Sequence, residues 1–419
     1  MNAFPFSFTG TLLPHPKSLV SPSRTSSYVS PQAIGKSPSK QHNKPLKNPL
    51  LDPSFLKVIL NACDDFIDTF IDPPCHPSLD PECVLSDNFA PVDELPPTEC
   101  KAIFCSRYVK TYKYLVEKEA GFSIIPNLFS DFNSFIALVC RGAVSVTRRK
   151  IGQFDPSNGI GLANTSLALF GGNLFALCES DLPYAIKLAP NGDIITIGRH
   201  NFEGNLPINM TAHPKIDPDT GEAFAFRYCP IPPFLTYFRI HPNGTKSRDI
   251  PIFSMTRPSF IHDFAITKNY IIFPDTQLET NPFGLITSGA PVGYNSRKVP
   301  RLGVLPRYAT DESKMKWFEV PGFNMIHAIN AWEVDDGDTI VVIAPNTMSI
   351  EHFLERLDLI RPRIEKVKVD LKKGMVSRYT MSSWNLELAS INQACVGKKN
   401  KYVKLNINYY FVSTSNNFV

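Results

Sequence analysis

The spacing of apolar positions changes character along this chain. Over residues 53–72, Phe55, Val58, Ile59, Cys63, Phe66, Ile67 and Phe70 recur at three- and four-residue steps, which predicts a helix with one apolar face. Asp52-Pro53 supplies an N-cap and a proline at the first helical position, and Pro73-Pro74 ends the run. Residues 121–146 read as a second helix and form the most aromatic-rich stretch, with Phe122, Phe129, Phe132 and Phe135 among Ile124, Ile125, Leu128, Ile136, Leu138 and Val139. Asp131 and Arg141 within it exclude a span, so it either covers a core or meets a lipid surface. From residue 162 to residue 381 the period falls to two. Short strands flank Gly171-Gly172-Asn173, Pro190-Asn191-Gly192-Asp193, Pro242-Asn243-Gly244, Asp335-Asp336-Gly337-Asp338 and Lys372-Lys373-Gly374. Asn-Gly and Asp-Gly between alternating strands are strong hairpin signals. Residues 349–359 read as one inserted helix. The pattern predicts an all-β fold of serial hairpins, a β-propeller or a large sandwich, with helical cover segments.

Composition narrows this. The chain of 419 residues holds 37 prolines, nearly twice the usual ~5%, which argues against a helical bundle. Residues 1–50 carry Lys17, Arg24, Lys36, Lys40, Lys44 and Lys47 and no acid, amid many serines and prolines. That is the composition of an organelle transit peptide, chloroplast before mitochondrion. The remainder is nearly neutral, which gives no footprint for nucleic acid. Nine cysteines without a Cys-x-x-Cys fit free thiols rather than a zinc set or a disulfide framework.

Of nine histidines, three sit apart: His213 in Met210-Thr-Ala-His-Pro-Lys215, His262 in Ser259-Phe-Ile-His-Asp-Phe264, and His327 in Phe323-Asn-Met-Ile-His-Ala-Ile329. Alternation puts His262 on the face of Phe264 and Ile266, and His327 on the face of Ile329 and Ala331. A core-facing imidazole is neutral and needs a partner for each nitrogen; neutral imidazole is also the commonest metal ligand. Three on separate strands converge if the strands are arranged radially, as in a propeller. Spacing alone leaves a hydrogen-bonded core and a metal site both open. Asp217-x-Asp219-x-Gly221 resembles the start of a calcium loop but reads better as a hairpin turn. No phosphate-binding loop, nucleophile elbow or dinucleotide fingerprint occurs.

The segments around these histidines resemble the carotenoid cleavage dioxygenases of plants. So do Ser106-Arg-Tyr-Val-Lys-Thr-Tyr-Lys113, Gly161-Leu-Ala-Asn-Thr-Ser166 and Glu179-Ser-Asp-Leu-Pro-Tyr184. The resemblance covers residues 86–403 and is closest to the plastid type 4 members. It implies a seven-bladed β-propeller with iron(II), Fe(2+), on its axis, held by histidines and oriented by carboxylates behind them. Matched position by position, His213, His262 and His327 correspond to three of the family's four ligands. Glu179 and Glu387 correspond to two of the carboxylates, with no assignment of which serves which histidine. The implied reaction cleaves one conjugated double bond of a carotenoid with O2, giving two carbonyl products, usually at 9,10 or 9′,10′. The implied setting is a plastid, at a plastoglobule or thylakoid surface.

Two departures from the family pattern accompany the match. The family carries a further segment between Glu99-Cys100 and Phe104-Cys105, where only Lys101-Ala-Ile103 stands here. After Val403 the family continues, whereas residues 404–419 form an Asn- and aromatic-rich tail without an evident strand pattern. The expected organisation is a transit segment over 1–50, a helix and Pro-rich linker over 51–85, an incomplete propeller over 86–403 and an aberrant tail over 404–419. A shortened inactive product, a 9-cis-epoxycarotenoid dioxygenase and a three-histidine zinc hydrolase are the alternatives.

Overall fold

Strands joined by tight turns pair first with their chain neighbours, because the turn itself brings them together. In the computed structural model, which describes residues 53–71, 107–125, 135–280, 292–353, 356 and 359–407, this rule builds four antiparallel sheets in succession. The first is β1 (Ser166–Phe170), β2 (Asn173–Leu177), β3 (Tyr184–Leu188) and β4 (Ile194–Arg199). The second is β5 (Lys215–Ile216), β6 (Ala223–Tyr228), β7 (Leu235–Ile240) and β8 (Ile250–Ile252). The third orders β9 (Ala265–Ile266), β10 (Tyr270–Asp275), β13 (Arg301–Pro306) and β14 (Lys316–Glu319) side by side. A two-stranded ribbon of β11 (Leu278–Thr280) and β12 (Val292–Tyr294) lies between β10 and β13 in the chain. The fourth is β15 (Asn330–Val334), β16 (Thr339–Met348), β17 (Arg361–Asp370), β18 (Val376–Ser390) and β19 (Lys404–Ile407).

These sheets stack face to face, and the alternation of each inner strand shows it. In β6, Ala223 and Ala225 pack with Phe175 and Leu177 of the first sheet. Phe224 and Phe226 point the other way, onto Ile271 and Phe273 of the third. Ile272 of β10 faces the fourth sheet, where it meets Val342 and Val367. A strand buried on both faces needs a partner sheet on each, which is why these runs are apolar nearly throughout. All of these residues are buried.

The helices differ from the sequence reading in two places. α1 (Pro53–Phe66), continued by a π-turn over Ile67–Ile71, forms where expected. The chain divides between Ile59 and Leu60 into two units, and the first contributes only the opening turns of α1 to the described residues. Within the second unit, Leu60 and Ile67 pack on Val144, and buried Arg148 reaches Asp64 and Asn61. Of the helix read over 121–146, only the part from Phe135 on is helical among the described residues. α2 (Tyr112–Ala120) is capped by Thr111 and ends at Gly121 (φ +80°), and α3 (Phe135–Lys150) follows. Gly121 adopts the left-handed conformation that closes a helix, so it terminates one rather than starting one. The inserted helix over 349–359 reduces, among the described residues, to one 3-10 turn at Ile350–His352. β19 pairs with β18, so the beginning of the expected tail is a strand; β18 offers an edge of unpaired backbone groups that another strand satisfies. The transit segment, the Pro-rich linker and residues 408–419 lie outside the described residues. No helix among the described residues is long and apolar enough to cross a membrane.

The turns read as punctuation also hold sheets together. Gly171, between β1 and β2, and Gly244, between β7 and β8, lie back to back. A Cβ on Gly244 would stand 3.1 Å from the Gly171 carbonyl oxygen. Gly192 shares the same φ of +86° but has nothing within 4 Å. Gly244→Ala is therefore expected to destabilise more than Gly192→Ala. Both carry about 1–2 kcal/mol for a left-handed alanine, and Gly244→Ala adds about 1–3 kcal/mol of overlap. Urea midpoints of the two variants measure the difference.

Candidate metal centre

Each of the three singled-out histidines lies just before the first strand of a sheet: His213 before β5, His262 before β9 and His327 before β15. Because the sheets stack in chain order, one repeated position brings three distant residues to one place. His213 Nε2 lies 2.9 Å from His262 Nε2, and His262 Nε2 lies 3.1 Å from His327 Nε2. One ligand nitrogen from each lies within 4.8 Å of the others, the one such cluster among the described residues. The corresponding position before β1 is Ala163, and the first sheet contributes Glu179 instead, from the turn between β2 and β3.

The carboxylates separate by partner. Glu179, 7% exposed, brings Oε1 to 2.6 Å from His262 Nδ1. Glu387 Oε2 stands 3.1 Å from His327 Nδ1 and accepts the Leu388 N–H at 2.9 Å. Among the described residues no carboxylate pairs with His213, whose backbone N–H donates to Thr211 Oγ1 at 3.0 Å. A carboxylate at Nδ1 holds the proton there and leaves Nε2 as a bare acceptor. In their neutral forms His262 and His327 thus turn two lone pairs toward each other at 3.1 Å, an arrangement that repels unless a cation or a proton lies between them.

The donor set fits a metal ion. Two nitrogens at right angles, each about 2.1 Å from an ion, stand about 3.0 Å apart, and tetrahedral ones about 3.4 Å. The observed 2.9 and 3.1 Å are of the size that neighbouring ligands of one ion require. Neutral imidazoles leave the ion's charge uncompensated by its own ligands. The Phe260 ring stacks parallel to His262 at 6.3 Å, at the edge of an apolar cluster with Leu278, Val292, Ile326 and Ile350.

Asp263 and Lys215 also stand among these segments and belong to no motif legible in the sequence. Their signal was proximity alone, next to His262 and two residues past His213. His200, His241 and His352 lie elsewhere, against Phe202, Glu222 and Glu351. Asp217-x-Asp219-x-Gly221 is a hairpin turn, with Asp217 Oδ1 accepting the Asp219 and Thr220 N–H groups. The five described cysteines are free thiols.

A family model described as retinal pigment epithelial membrane protein matches residues 90–409. A probable carotenoid cleavage dioxygenase 4, chloroplastic, of Arabidopsis thaliana is 54% identical over 397 residues, covering 83% of this chain and 67% of the relative. The chain belongs to the carotenoid cleavage dioxygenase family. The 9-cis-epoxycarotenoid dioxygenase NCED1, chloroplastic, of Oryza sativa subsp. japonica is 47% identical, covering 82% of this chain and 62% of the relative. The chain therefore spans about two thirds of the length of these dioxygenases. A Pseudomonas brassicacearum lignostilbene dioxygenase superposes with a TM-score of 0.59 at 24% identity, over 71% of this chain and 60% of that one. A Synechocystis apocarotenoid oxygenase superposes with a TM-score of 0.57 at 22% identity, over 72% and 63%. The stacked sheets thus share the fold of these carotenoid oxygenases, the β-propeller that the family resemblance implies.

The buried imidazoles titrate apart. Burial, and then the charge of the neighbouring His262, push His213 down to about 3. Burial opposes the charged form of His327 too, but the Glu387 carboxylate outweighs it and holds His327 above the ordinary range. A group whose folded pKa lies below its unfolded value contributes stability that is complete above the unfolded value and lost on acidification. For His213 the loss runs from about pH 6.5 down toward 3. Metal-free protein is therefore expected to lose stability between pH 6.5 and 5, by at most about 1.4 kcal/mol per pH unit. His213→Gln should flatten that slope, with urea midpoints as the measurement. His200, lowered by burial, supplies a residual slope.

Proposed function

We propose that this chain is an iron(II)-dependent dioxygenase that cleaves one conjugated double bond of a carotenoid. His213, His262 and His327 hold the metal, and Glu179 and Glu387 orient two of the rings. The observation that carries this reading is the meeting of three imidazole nitrogens at 2.9 and 3.1 Å, two of them with the opposite nitrogen facing a carboxylate. The bound metal supplies dioxygen activation. The chain supplies the rest. Carboxylates fix the tautomers so that the lone pairs face inward. Phe260 and its apolar neighbours form a wall suited to a polyene, which has no polar group at the scissile bond for a side chain to grip. One atom of O2 goes to each new carbonyl, so no acid, base or reductant is required of the protein.

Family membership supports carotenoid as the substrate class. The resemblance to type 4 members supports cleavage at 9,10 or 9′,10′, and the chloroplastic relatives support a plastid location, at a plastoglobule or thylakoid surface where the substrate partitions. The relative of the 9-cis-epoxycarotenoid type keeps an epoxidised substrate as the second choice.

The test uses the full chain with a carotenoid in detergent under 18O2. Near-stoichiometric iron and two carbonyl products, each carrying label, are expected. His262→Ala should remove both the iron and the products. A folded chain with no iron and no carbonyl product would overturn the reading. A chain that holds iron without releasing carbonyls would restrict it to metal binding. Product masses assign the bond.

A further inference from the structure

One buried charge beside the histidines has no part in that reading. Asp263 follows His262 in the chain and is 2% exposed. Its Oδ1 accepts the Phe264 N–H at 2.7 Å and pairs with Lys215 Nζ at 2.6 Å, and its Oδ2 accepts the Ala328 N–H at 2.8 Å. Lys215 lies two residues past His213, and Ala328 is next to His327. A single carboxylate therefore ties together the three segments that deliver the imidazoles, from three different sheets.

Stability alone is a poor account of this arrangement, since the desolvation of a buried pair offsets much of its attraction. What it supplies is geometry. Glu179 and Glu387 hold two rings from behind, but among the described residues no carboxylate pairs with His213. Its segment is referred to the other two through Lys215 and Asp263. A second ion pair between the same sheets lacks this feature. Arg307 binds Asp217 and the carbonyls of Thr267 and Lys268, none of them in the turns that carry the histidines.

We propose that Asp263, with Lys215 as its counter-ion, is a positioning residue that sets the spacing of the three imidazoles and thereby the affinity and geometry of the metal they hold. This inference rests on the metal reading of the site.

The test titrates cobalt(II) chloride into the metal-free full chain under nitrogen, reading affinity and the visible d–d bands. Asp263→Asn and Lys215→Met are compared with wild type, and Arg307→Met is the control for loss of a buried inter-sheet pair. Urea unfolding of each metal-free variant reports its fold. Asp263→Asn and Lys215→Met are expected to weaken cobalt binding about 10–100-fold and to shift the bands. Arg307→Met should lower the urea midpoint and leave affinity and bands unchanged. Wild-type affinity and bands in folded Asp263→Asn or Lys215→Met would overturn the inference, as would an equal loss in Arg307→Met. If Asp263→Asn is recovered only as aggregate, Lys215→Met decides by the same criteria. A wild-type chain that takes up no cobalt removes the metal reading, and this inference with it.

Discussion

Nitrogen lone pairs held at about 3 Å repel, and the centre of this protein is organised around such a repulsion. His262 and His327 each face a glutamate through Nδ1 and so present Nε2 without a proton. Left alone, the rings would turn away or take up a proton between them. The stacked sheets prevent the first, because each histidine is anchored by a strand beginning two or three residues later. The second stays open, since Glu387 favours a proton on His327, while His213, pushed down by burial and by its neighbour, stays neutral. In the proposed reading a divalent cation would relieve the conflict, with the fold as its preformed ligand.

That preformation comes from repetition. A hairpin-built sheet buried on both faces must stack on its neighbours, and successive stacked sheets bring equivalent positions of successive first strands toward one line. Phe224 and Phe226 on one side of β6, with Ala223 and Ala225 on the other, make the stacking unequal but continuous. The side chains just before these strands then need no local motif to meet. Sequence distance between the histidines says nothing of their distance in space, which is why their spacing alone left a core role and a metal role both open.

About half of the strands, those flanking the Gly-containing turns marked in the sequence, were legible in the chain, because period-two alternation and such turns are local signals, whereas the third sheet and the β11–β12 ribbon hold none of the marked turns. The turns at Gly171-Gly172, Asn191-Gly192 and Asn243-Gly244 fall where the sequence marks them. The helix boundary at Gly121 is set by capping, which the apolar pattern of 121–146 does not report. Thr111 at one end of α2 and Gly121 at the other are ordinary helix punctuation. β19 was hidden because strand formation there follows from an available edge rather than from the tail's own pattern. Glu179 and Glu387 were named from family resemblance, while their division between His262 and His327 required three-dimensional geometry. Asp263 passed unremarked because its partners, Lys215 and Ala328, come from other sheets.

The charges around the centre give a reason, independent of the distances, for a divalent ion. Glu179, Glu387 and Asp263 are carboxylates set against or beside the imidazoles, and Lys215 is the ammonium that answers one of them. With neutral histidines the group carries two uncompensated negative charges, and Glu179 and Asp263 are largely withdrawn from water. Isolated buried charge is among the costliest arrangements a protein can adopt. A divalent cation cancels it at the centre of the cluster. Without one the nearest remedy is a proton, and the upward shift of His327 against Glu387 marks where that proton is drawn. The carboxylates are therefore part of the centre's charge balance as well as its alignment. In the proposed reading, neutral ligands would leave a bound metal electrophilic, and the carboxylates behind them would keep the whole assembly near zero charge.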